Sequence, residues 1–316
     1  MTDAPRMHDD EVTPDATVVR RLVAAQFPQW AALEIASAPT DGTDHLMYRL
    51  GPDMAVRLPR RPSAVPALEK EQIWLPRLAM VLPMPVSSPL AAGAPGEGYP
   101  WPWSVCRWIE GETVSPQGLA DMEALARDLA GFIQALQAID ASGGPRPGAH
   151  NFGRGAPLAR WRETIQERLG WLADLEQIDA IQAAWDADAA ADPWDGPPRW
   201  IHGDLSGGNL LVREARLCGV IDWSCLGAGD PACELQVAWN LFDQQTRRAF
   251  RDAMDLDEAT WIRGRAWGLA MGVLNVSYYR TRDAGMARAG WRAINEVLAD
   301  RASGGGPANG PQAGGR

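Results

Sequence analysis

The chain has 316 residues, of which 46% are hydrophobic, and its formal net charge is −10 at pH 7. This hydrophobic fraction is ample for a buried core, in one large domain or two small ones. The acidic balance argues against nucleic acid as a partner, because nucleic-acid binding needs a basic surface, but it is compatible with the steering of a cationic small molecule.

The cysteines, the histidines and the single lysine narrow the chemistry further. The four cysteines form no Cys-x-x-Cys pair and the histidines do not cluster with them, so no zinc site is expected. The acidic N-terminus has no apolar signal segment, and the longest apolar stretch, 266–276, is too short to span a bilayer. We therefore expect a cytoplasmic protein with free thiols and no membrane contact. Lys70 is the only lysine, so any catalytic cation must be an arginine or this one lysine.

The N-terminal part of the chain predicts a tail, a helix and a hairpin. Residues 1–14 are polar and contain two prolines, which predicts a disordered tail. Apolar residues at helical spacing predict a helix over 17–26. Two strands, 33–37 and 46–50, flank an Asp-Gly turn within 39–43, which is a strong hairpin signal.

A third strand, 54–59, carries Arg57, and a helix over 63–75 follows, which the proline after it is expected to end. This helix carries two glutamates, Glu69 and Glu71. From the pattern alone, Arg57 can be an arginine at a strand edge that faces water, with both glutamates as exposed helix charges.

The middle of the chain is predicted to alternate between loops and helices. The Pro- and Gly-rich segment 81–98 reads as a loop, and the aromatic stretch 101–109 as a strand. Ser115 followed by proline predicts the start of a long amphipathic helix, and 143–155 is a second loop.

The segment 171–198 holds seven Asp and Glu residues, three tryptophans and no Lys or Arg. Its carboxylates suit a substrate with several ammonium groups, and its aromatic faces suit sugars or cations. The alternative is a solvated acidic helix face with tryptophans in the core. Further on, Asp230 is predicted to cap a helix, and Glu234, one turn into that helix, could face the substrate.

The most specific stretch is 202–209, which reads His-x-Asp-x-x-x-x-Asn. The apolar runs 210–212 and 217–221 follow it and predict a short hairpin, which returns the chain so that Asp222 comes to lie beside Asp204. Phosphoryl transfer needs such a set: one carboxylate orients and deprotonates the acceptor hydroxyl, while a carboxamide and a second carboxylate hold Mg²⁺. The alternative is a loop aspartate, a capping asparagine and a strand-end aspartate with no shared role.

These residues, His-Gly-Asp-Leu-x-x-x-Asn-Leu-Leu and then Ile-Asp-Trp, resemble the aminoglycoside phosphotransferase family, a branch of the protein-kinase-like fold. The resemblance extends over about 33–297. It implies an α+β, bilobal protein-kinase-like fold: a small antiparallel-sheet lobe, 15–106, that binds the nucleotide, and a mainly helical large lobe, 107–302, with the catalytic loop and the substrate site. The remaining residues, 303–316, are Gly- and Pro-rich and are predicted to be a disordered tail.

The resemblance also implies roles for single residues. Asp204 would act on the acceptor hydroxyl, and Asn209 and Asp222 would be catalytic and hold Mg²⁺. The nucleotide, ATP or GTP, would be bound by Arg57 and Glu71, and near the purine by the backbone of Val105, Cys106 and Arg107. Arg57 stands where protein kinases have a lysine. Either Glu69 or Glu71 would pair with Arg57, and Glu71 is preferred because it matches the family's Glu-x-x-x-Leu spacing. His202 would brace the loop, and the turn 39–43 would either cover the phosphates or be an ordinary hairpin tip.

The implied activity is transfer of the γ-phosphoryl group to a hydroxyl of a small molecule, with an aminoglycoside-like antibiotic as the first choice. The run Val56-Arg57-Leu58-Pro59-Arg60-Arg61 resembles macrolide kinases, so a macrolide is the second choice, and a metabolite such as an amino alcohol or a sugar is the third. The Asp-Phe-Gly of protein kinases is Asp222-Trp223-Ser224 here, and no Ala-Pro-Glu follows, which argues against a protein substrate.

A catalytically inactive nucleotide-binding scaffold is a further alternative. It predicts the loss of Asp204, Asn209 or Asp222, and all three are present. No feature of the sequence indicates an oligomeric state.

Overall fold

The computed structural model describes residues 11–38, 44–116, 118 and 121–303. The predicted turn 39–43 lies outside these residues, as do most of the two predicted tails.

Within the described residues, the small lobe has a five-stranded antiparallel sheet with the strand order β1-β2-β3-β5-β4. The strands are β1 (Ile35–Ser37), β2 (His45–Leu50), β3 (Met54–Pro59), β4 (Pro89–Gly93) and β5 (Trp103–Arg107). Helix α1 (Ala16–Gln26) and helix α2 (Val65–Ala79) accompany the sheet. The predicted hairpin and third strand are therefore present, in a register that places Met47 opposite Arg57.

Buried apolar side chains give this sheet a core of its own. Val56 and Leu58 on β3 and Val105 on β5 are fully buried, together with the ring of Trp103. Side chains two positions apart lie on the same face of a strand, which explains why Trp103 and Val105 share this core. Gly93 on β4 lies against the Trp103 ring, where a Cβ would stand 2.1 Å from Cε2, so only glycine lets the two strands approach this closely.

Helix α2 belongs to both lobes. It continues through Pro76 to Ala79, so the expectation that this proline ends the helix is wrong. Pro76 lies in the last turn and removes one hydrogen bond of the helix ladder, but Leu75 and Leu78 beside it are buried in the core of the large lobe, and this packing keeps the turn helical. The segment 81–98, predicted as a loop, contains the short strand β4.

Residues 11–14 are not part of a disordered tail. Glu11 and Arg60 form an ion pair of 2.8 Å between buried side chains, and the Tyr48 hydroxyl donates to the Pro14 carbonyl at 2.7 Å. These contacts tie the segment to β2 and to the end of β3. A pattern of polar residues and prolines does not reveal such partners, because they lie far along the chain.

Helices form most of the large lobe. They are α3 (Met122–Ala138), α4 (Arg162–Gly170), α5 (Ile178–Asp188), α6 (Val237–Asn240), α7 (Gln244–Met254), α8 (Glu258–Tyr279) and α9 (Ala284–Ala302). Short strands β6 (Glu112–Thr113), β7 (Arg199–Ile201), β8 (Leu210–Arg213), β9 (Arg216–Val220) and β10 (Gly227–Gly229) form the sheets β6-β8-β9 and β10-β7. Helix α8 is buried along most of its length and packs against α9. Among the helices that the structure describes, we find none with the length and hydropathy of a membrane span.

The long amphipathic helix begins at Met122 and not at Ser115 as predicted. The Asp121 carboxylate accepts a hydrogen bond from the Ala124 N–H at 2.8 Å, and aspartate caps a helix as well as serine does. The predicted apolar face is present, since Leu125 and the residues at helical spacing after it are buried.

Candidate active site

The central sequence stretch forms a loop between two strands of the large lobe. Strand β7 ends at Ile201, the loop runs over 202–209, and the β8–β9 hairpin returns the chain to Asp222. The hairpin turns at Glu214 and Ala215, which have positive φ angles of 54° and 60°. Two such residues in sequence match the twist of the flanking strands, so the predicted hairpin closes with a two-residue turn.

The buried His202 braces this loop. Its Nδ1 accepts the Asp204 N–H at 3.2 Å and its Nε2 donates to the Ile221 carbonyl at 2.9 Å, which is the pattern of a neutral ring protonated on Nε2. Burial lowers the pKa of His202, so the ring stays neutral. One ring nitrogen is bound within the loop and the other by the residue before Asp222, as expected of a brace.

Glu234 binds the backbone of the same loop. Its fully buried carboxylate accepts the His202 N–H at 3.0 Å and the Gly203 N–H at 2.8 Å, while Gln236 donates to the Gly203 carbonyl at 3.0 Å. Burial raises the pKa of Glu234 to about 7, although the two N–H donors act in the opposite direction. The expectation that Glu234 faces the substrate is therefore wrong: it binds the backbone of the loop. Asp230 caps the helical segment Pro231–Gln236, which contains Glu234, as predicted, by accepting the Ala232 N–H at 2.9 Å.

The structure brings Asp204, Asn209 and Asp222 to one place. The Asn209 Nδ2 donates to the Asp204 carbonyl at 2.8 Å and lies 3.4 Å from Asp204 Oδ2. The Ile221 N–H donates to the Asn209 carbonyl at 3.0 Å, which ties the end of the loop to the residue before Asp222. The carboxylates of Asp204 and Asp222 are 42% and 44% exposed, so both can meet a ligand.

Asp222 has a left-handed backbone conformation, with φ of 57°. This conformation costs a residue with a side chain about 1 kcal/mol, so its neighbours must hold it. The Ser224 hydroxyl donates to Asp222 Oδ1 at 2.9 Å. The Trp223 indole donates to the Val220 carbonyl at 3.1 Å and packs on His202, with ring centroids 4.7 Å apart.

Arg57 reaches this group from β3 of the small lobe. Its side chain is 8% exposed, and its guanidinium binds Glu71 through Nη1 and Asp222 Oδ1 through Nη2, the latter at 2.8 Å. Nη2 also donates to His45 Nδ1 at 3.2 Å. Glu71 is buried whereas Glu69 lies on the exposed face of α2. The structure therefore pairs Arg57 with Glu71, and this arginine is not a strand-edge residue that faces water.

Burial and pairing set the charges of the site. Burial raises the pKa of Glu71 to about 7, although the positive charge of Arg57 acts in the opposite direction. For Arg57, burial acts to lower the pKa, but Glu71 and Asp222 raise the pKa of Arg57 above its usual value. Burial tends to raise the pKa of Asp222, but Arg57, His45 and the hydrogen bond from Ser224 together outweigh burial and hold that pKa below its usual value. Burial raises the pKa of Asp204, and Arg154, with Nη2 3.9 Å from Oδ1, offsets only part of the effect. The two aspartates thus differ: Asp222 stays anionic, and Asp204 is the better proton acceptor.

Asn209 and Asp222 fit a magnesium ion. Mg²⁺ takes one or two oxygen ligands from the protein and completes its shell with water and phosphate oxygens. Asp222 supplies an ionised, half-exposed carboxylate, and because the Asn209 Nδ2 points at Asp204, the amide oxygen points away from it. Across the described ranges, no group of three or more His, Cys, Asp or Glu side chains could hold a metal.

The residues expected to face the purine lie on β5, between β3 and β4. Burial raises the pKa of the Cys106 thiol to about 12, so it stays protonated, while Val105 is part of the small-lobe core. The Arg107 N–H donates to the Ser88 carbonyl at 3.0 Å. Contact between a purine and the backbone of these residues stays a prediction; β5 leads into 108–111, which joins the lobes.

Part of the acidic segment 171–198 faces inward. Asp188 is 1% exposed and binds Arg265 with oxygen–nitrogen distances of 2.8 and 2.9 Å, and it also pairs with Arg301. Trp185 is buried in the core, as the structural alternative expected. The Asp188 carboxylate therefore holds α5 against α8 and α9, and substrate binding by the rest of the segment stays a prediction.

Sequence reasoning missed Arg154, His45 and Lys70. Each of them touches the site or its supports, but none lies in a motif, because their partners come from segments far away in the chain. The one available signal was the isolation of Lys70 as the only lysine of an arginine-rich chain.

A model of the phosphotransferase enzyme family matches residues 35–267, which include the small-lobe sheet, the catalytic loop and Asp222. The chain belongs to the phosphotransferase enzyme family. The resemblance read from the sequence is thereby confirmed, as is the prediction of an enzyme that phosphorylates a small molecule.

Solved structures similar to this phosphotransferase include antibiotic kinases of two kinds. The GDP complex of aminoglycoside 2'-phosphotransferase-IIIa matches with a TM-score of 0.68 at 19% identity, over 91% of this chain and 100% of that one. The gentamicin complex of APH(2'')-IIa matches with 0.62 at 20% identity, over 91% and 99%. The macrolide 2'-phosphotransferase MphH from Brachybacterium faecium matches with 0.59 at 22% identity, over 88% and 97%. At these identities the matches establish the fold, and the predicted bilobal kinase-like architecture is confirmed.

Proposed function

We propose that this phosphotransferase moves the γ-phosphoryl group of ATP or GTP to a hydroxyl of a small molecule, with Mg²⁺. The observation that carries the proposal is the meeting of Asp204, Asn209 and Asp222 beside the buried guanidinium of Arg57. Similar folds have been solved with GDP and with ATP, which supports a nucleotide in the cleft. The free cysteines in the described chain agree with the reducing cytoplasm that we propose as its compartment.

The residues divide the chemistry between them. Asp204, with its raised pKa, accepts the proton of the acceptor hydroxyl as the oxygen–phosphorus bond forms and the bond from Pγ to the nucleoside diphosphate breaks. Arg57, held by Glu71, neutralises charge on the phosphate oxygens. Asn209 and Asp222 would hold Mg²⁺, which when bound offsets the charge of the phosphates. His202 and Glu234 keep the Asp204 backbone in place.

For the acceptor we propose an aminoglycoside-like antibiotic first. The resemblance of the catalytic loop supports it, as do the net charge of −10 and the similar fold of kinases solved with kanamycin and gentamicin.

A macrolide is the second candidate, and one observation favours it. Asp188 of the acidic segment is buried against Arg265, so this carboxylate is not available to a polycation. The run from Val56 to Arg61 resembles macrolide kinases, and two macrolide 2'-phosphotransferases share the fold. A metabolite hydroxyl is the third candidate.

The test is a coupled assay of nucleoside diphosphate release with ATP and with GTP, run over aminoglycosides, macrolides, amino alcohols and sugars. We expect acceptor-dependent release with one class, and none from the Asp204→Ala variant, which controls for contaminating kinases. No release with any acceptor, together with no shift of the melting temperature by Mg-nucleotide, would leave the inactive scaffold as the better account.

A further inference from the structure

Lys70 is buried where α2 meets the large lobe, with 6% of its surface exposed. Its Nζ donates to the Ser224 carbonyl at 2.8 Å, to the His150 carbonyl at 3.0 Å and to His150 Nδ1 at 3.2 Å. The His150 Nε2 donates to the Arg146 carbonyl at 2.8 Å, which leaves Nδ1 as the acceptor. An ammonium group has three N–H donors, so these bonds use all of them.

The partners in these three bonds are two carbonyls and an imidazole, and none is a carboxylate. Burial of an ammonium group among neutral acceptors is unfavourable, and it lowers the pKa of Lys70 to about 8 although Glu71 acts in the opposite direction. The three bonds do not neutralise charge. What they do is connect three separate segments of the chain.

Two of the three connected segments carry a residue of the proposed site. Lys70 directly precedes Glu71, the partner of Arg57, on α2. Ser224 follows Asp222 by two positions, and its hydroxyl binds the Asp222 carboxylate while its carbonyl receives the Lys70 bond. A displacement of Ser224 therefore displaces Asp222.

We propose that Lys70 is a positioning residue for phosphoryl transfer: it fixes the loop of Asp222 to α2 and so sets the place of Asp222 relative to Arg57. This role rests on the proposed function. It predicts that loss of Lys70 weakens the magnesium-dependent part of nucleotide binding and lowers kcat, while KM for the acceptor changes little.

The test compares Lys70→Met with a matched control, Arg265→Met, in the full chain. The control also removes a buried cation, but its partners Asp188 and Asp300 lie in α5 and α9. In the absence of any ligand, hydrogen exchange of 221–226 should become at least ~3-fold faster in Lys70→Met, because the segment loses an anchor, and should not change in the control.

Calorimetry and kinetics give the second readout. In Lys70→Met, the affinity for Mg-nucleotide and kcat should each fall ~10-fold, a loss typical of a misplaced ligand, with affinity for nucleotide in EDTA unchanged. If the affinity for Mg-nucleotide and kcat fell equally in Arg265→Met, reduced stability would be the cause and the role of Lys70 would be overturned. Hydrogen exchange and magnesium dependence at wild-type values in Lys70→Met would overturn it as well.

A milder variant covers the case in which Lys70→Met does not fold. His150→Ala removes one of the three acceptors from a partly exposed residue, and we expect a shift of magnesium dependence in the same direction, ~3-fold in size. No shift in this variant overturns the proposal. If the wild-type protein itself bound no nucleotide with Mg²⁺, the proposed function would fail and the role of Lys70 with it.

Discussion

The buried Glu234 makes the stability of the enzyme depend on pH in a way that one substitution can remove. Its carboxylate is fully buried and its ligands are the N–H groups of His202 and Gly203, with no basic side chain among them. Glu234→Gln replaces an ionisable acceptor with an amide of the same shape. The amide oxygen can accept one of the two N–H groups, while the amide nitrogen faces the other.

The size of the effect follows from the two pKa values. A glutamate pKa of 4.5 in the unfolded chain and of about 7 in the folded protein correspond to about 3 kcal/mol of free energy. Because Glu234 keeps its proton in the folded state over this range, its protonation contributes to the free energy of unfolding. This contribution is fully present below about pH 4.5 and is lost as the pH rises through about 7. In the variant the amide nitrogen faces an N–H group that has no acceptor, which lowers the free energy of unfolding by about 1–2 kcal/mol at every pH.

Urea unfolding followed by tryptophan fluorescence measures the difference between the two proteins. We expect the difference in unfolding free energy between variant and wild type to move by about 2.5 kcal/mol in favour of Glu234→Gln from about pH 5 to about pH 8. All other groups titrate in both proteins and cancel. Glu163→Gln, on the exposed side of α4, is the matched control for the loss of one carboxylate from the protein. A difference for Glu234→Gln that does not change with pH would refute the reasoning, since it would mean that two N–H groups offset the whole cost of burial.

Four further outcomes are expected. Asp204→Ala should lower kcat by at least ~100-fold as the proton acceptor is lost, while nucleotide affinity by calorimetry stays within ~2-fold; a wild-type rate would contradict the role. Asp222→Ala should weaken nucleotide binding ~10-fold in Mg²⁺ but not in EDTA, and equal losses in both would point away from the metal. Arg154→Gln removes a positive charge near Asp204 and so raises the pKa of Asp204 further; the acid limb of the kcat/KM profile should move to higher pH, and an unmoved limb would count against Asp204 as the base. Asp188→Asn removes the buried carboxylate that Arg265 and Arg301 share and should lower the free energy of unfolding by about 3 kcal/mol, with an unchanged KM for any aminoglycoside acceptor; a raised KM would restore Asp188 to the substrate site.

Local pattern predicted the catalytic loop and its hairpin. His202, Asp204 and Asn209 lie within one loop, so their spacing alone predicts that they are close together. The two apolar runs with a short turn predict a hairpin, and this hairpin brings the chain back to the loop at Asp222. The pairing of Arg57 with a glutamate of α2 could be narrowed to two candidates, and burial, which is not visible in sequence, selects Glu71.

The remaining features depend on partners that are distant in the chain. Strand β4 is a Pro-Leu-Ala-Ala-Gly edge strand without β-branched residues, and its place comes from pairing with β5. The start of α3 was missed because Ser115 and Asp121 are both good caps, and only packing decides between them. Lys70 and Glu234 act on backbone groups of other segments, and such bonds leave no mark in residue spacing.

Helix α2 has its last turn inside the core of the large lobe, through Leu75 and Leu78. The same helix supplies the carboxylate for Arg57, so it cannot swing outward with the small sheet without exposing these leucines to water. An outward swing of α2 would therefore cost about 1.5–3 kcal/mol for each of these leucines that it exposed, so the packing of this helix holds the carboxylate of Glu71 beside the cleft.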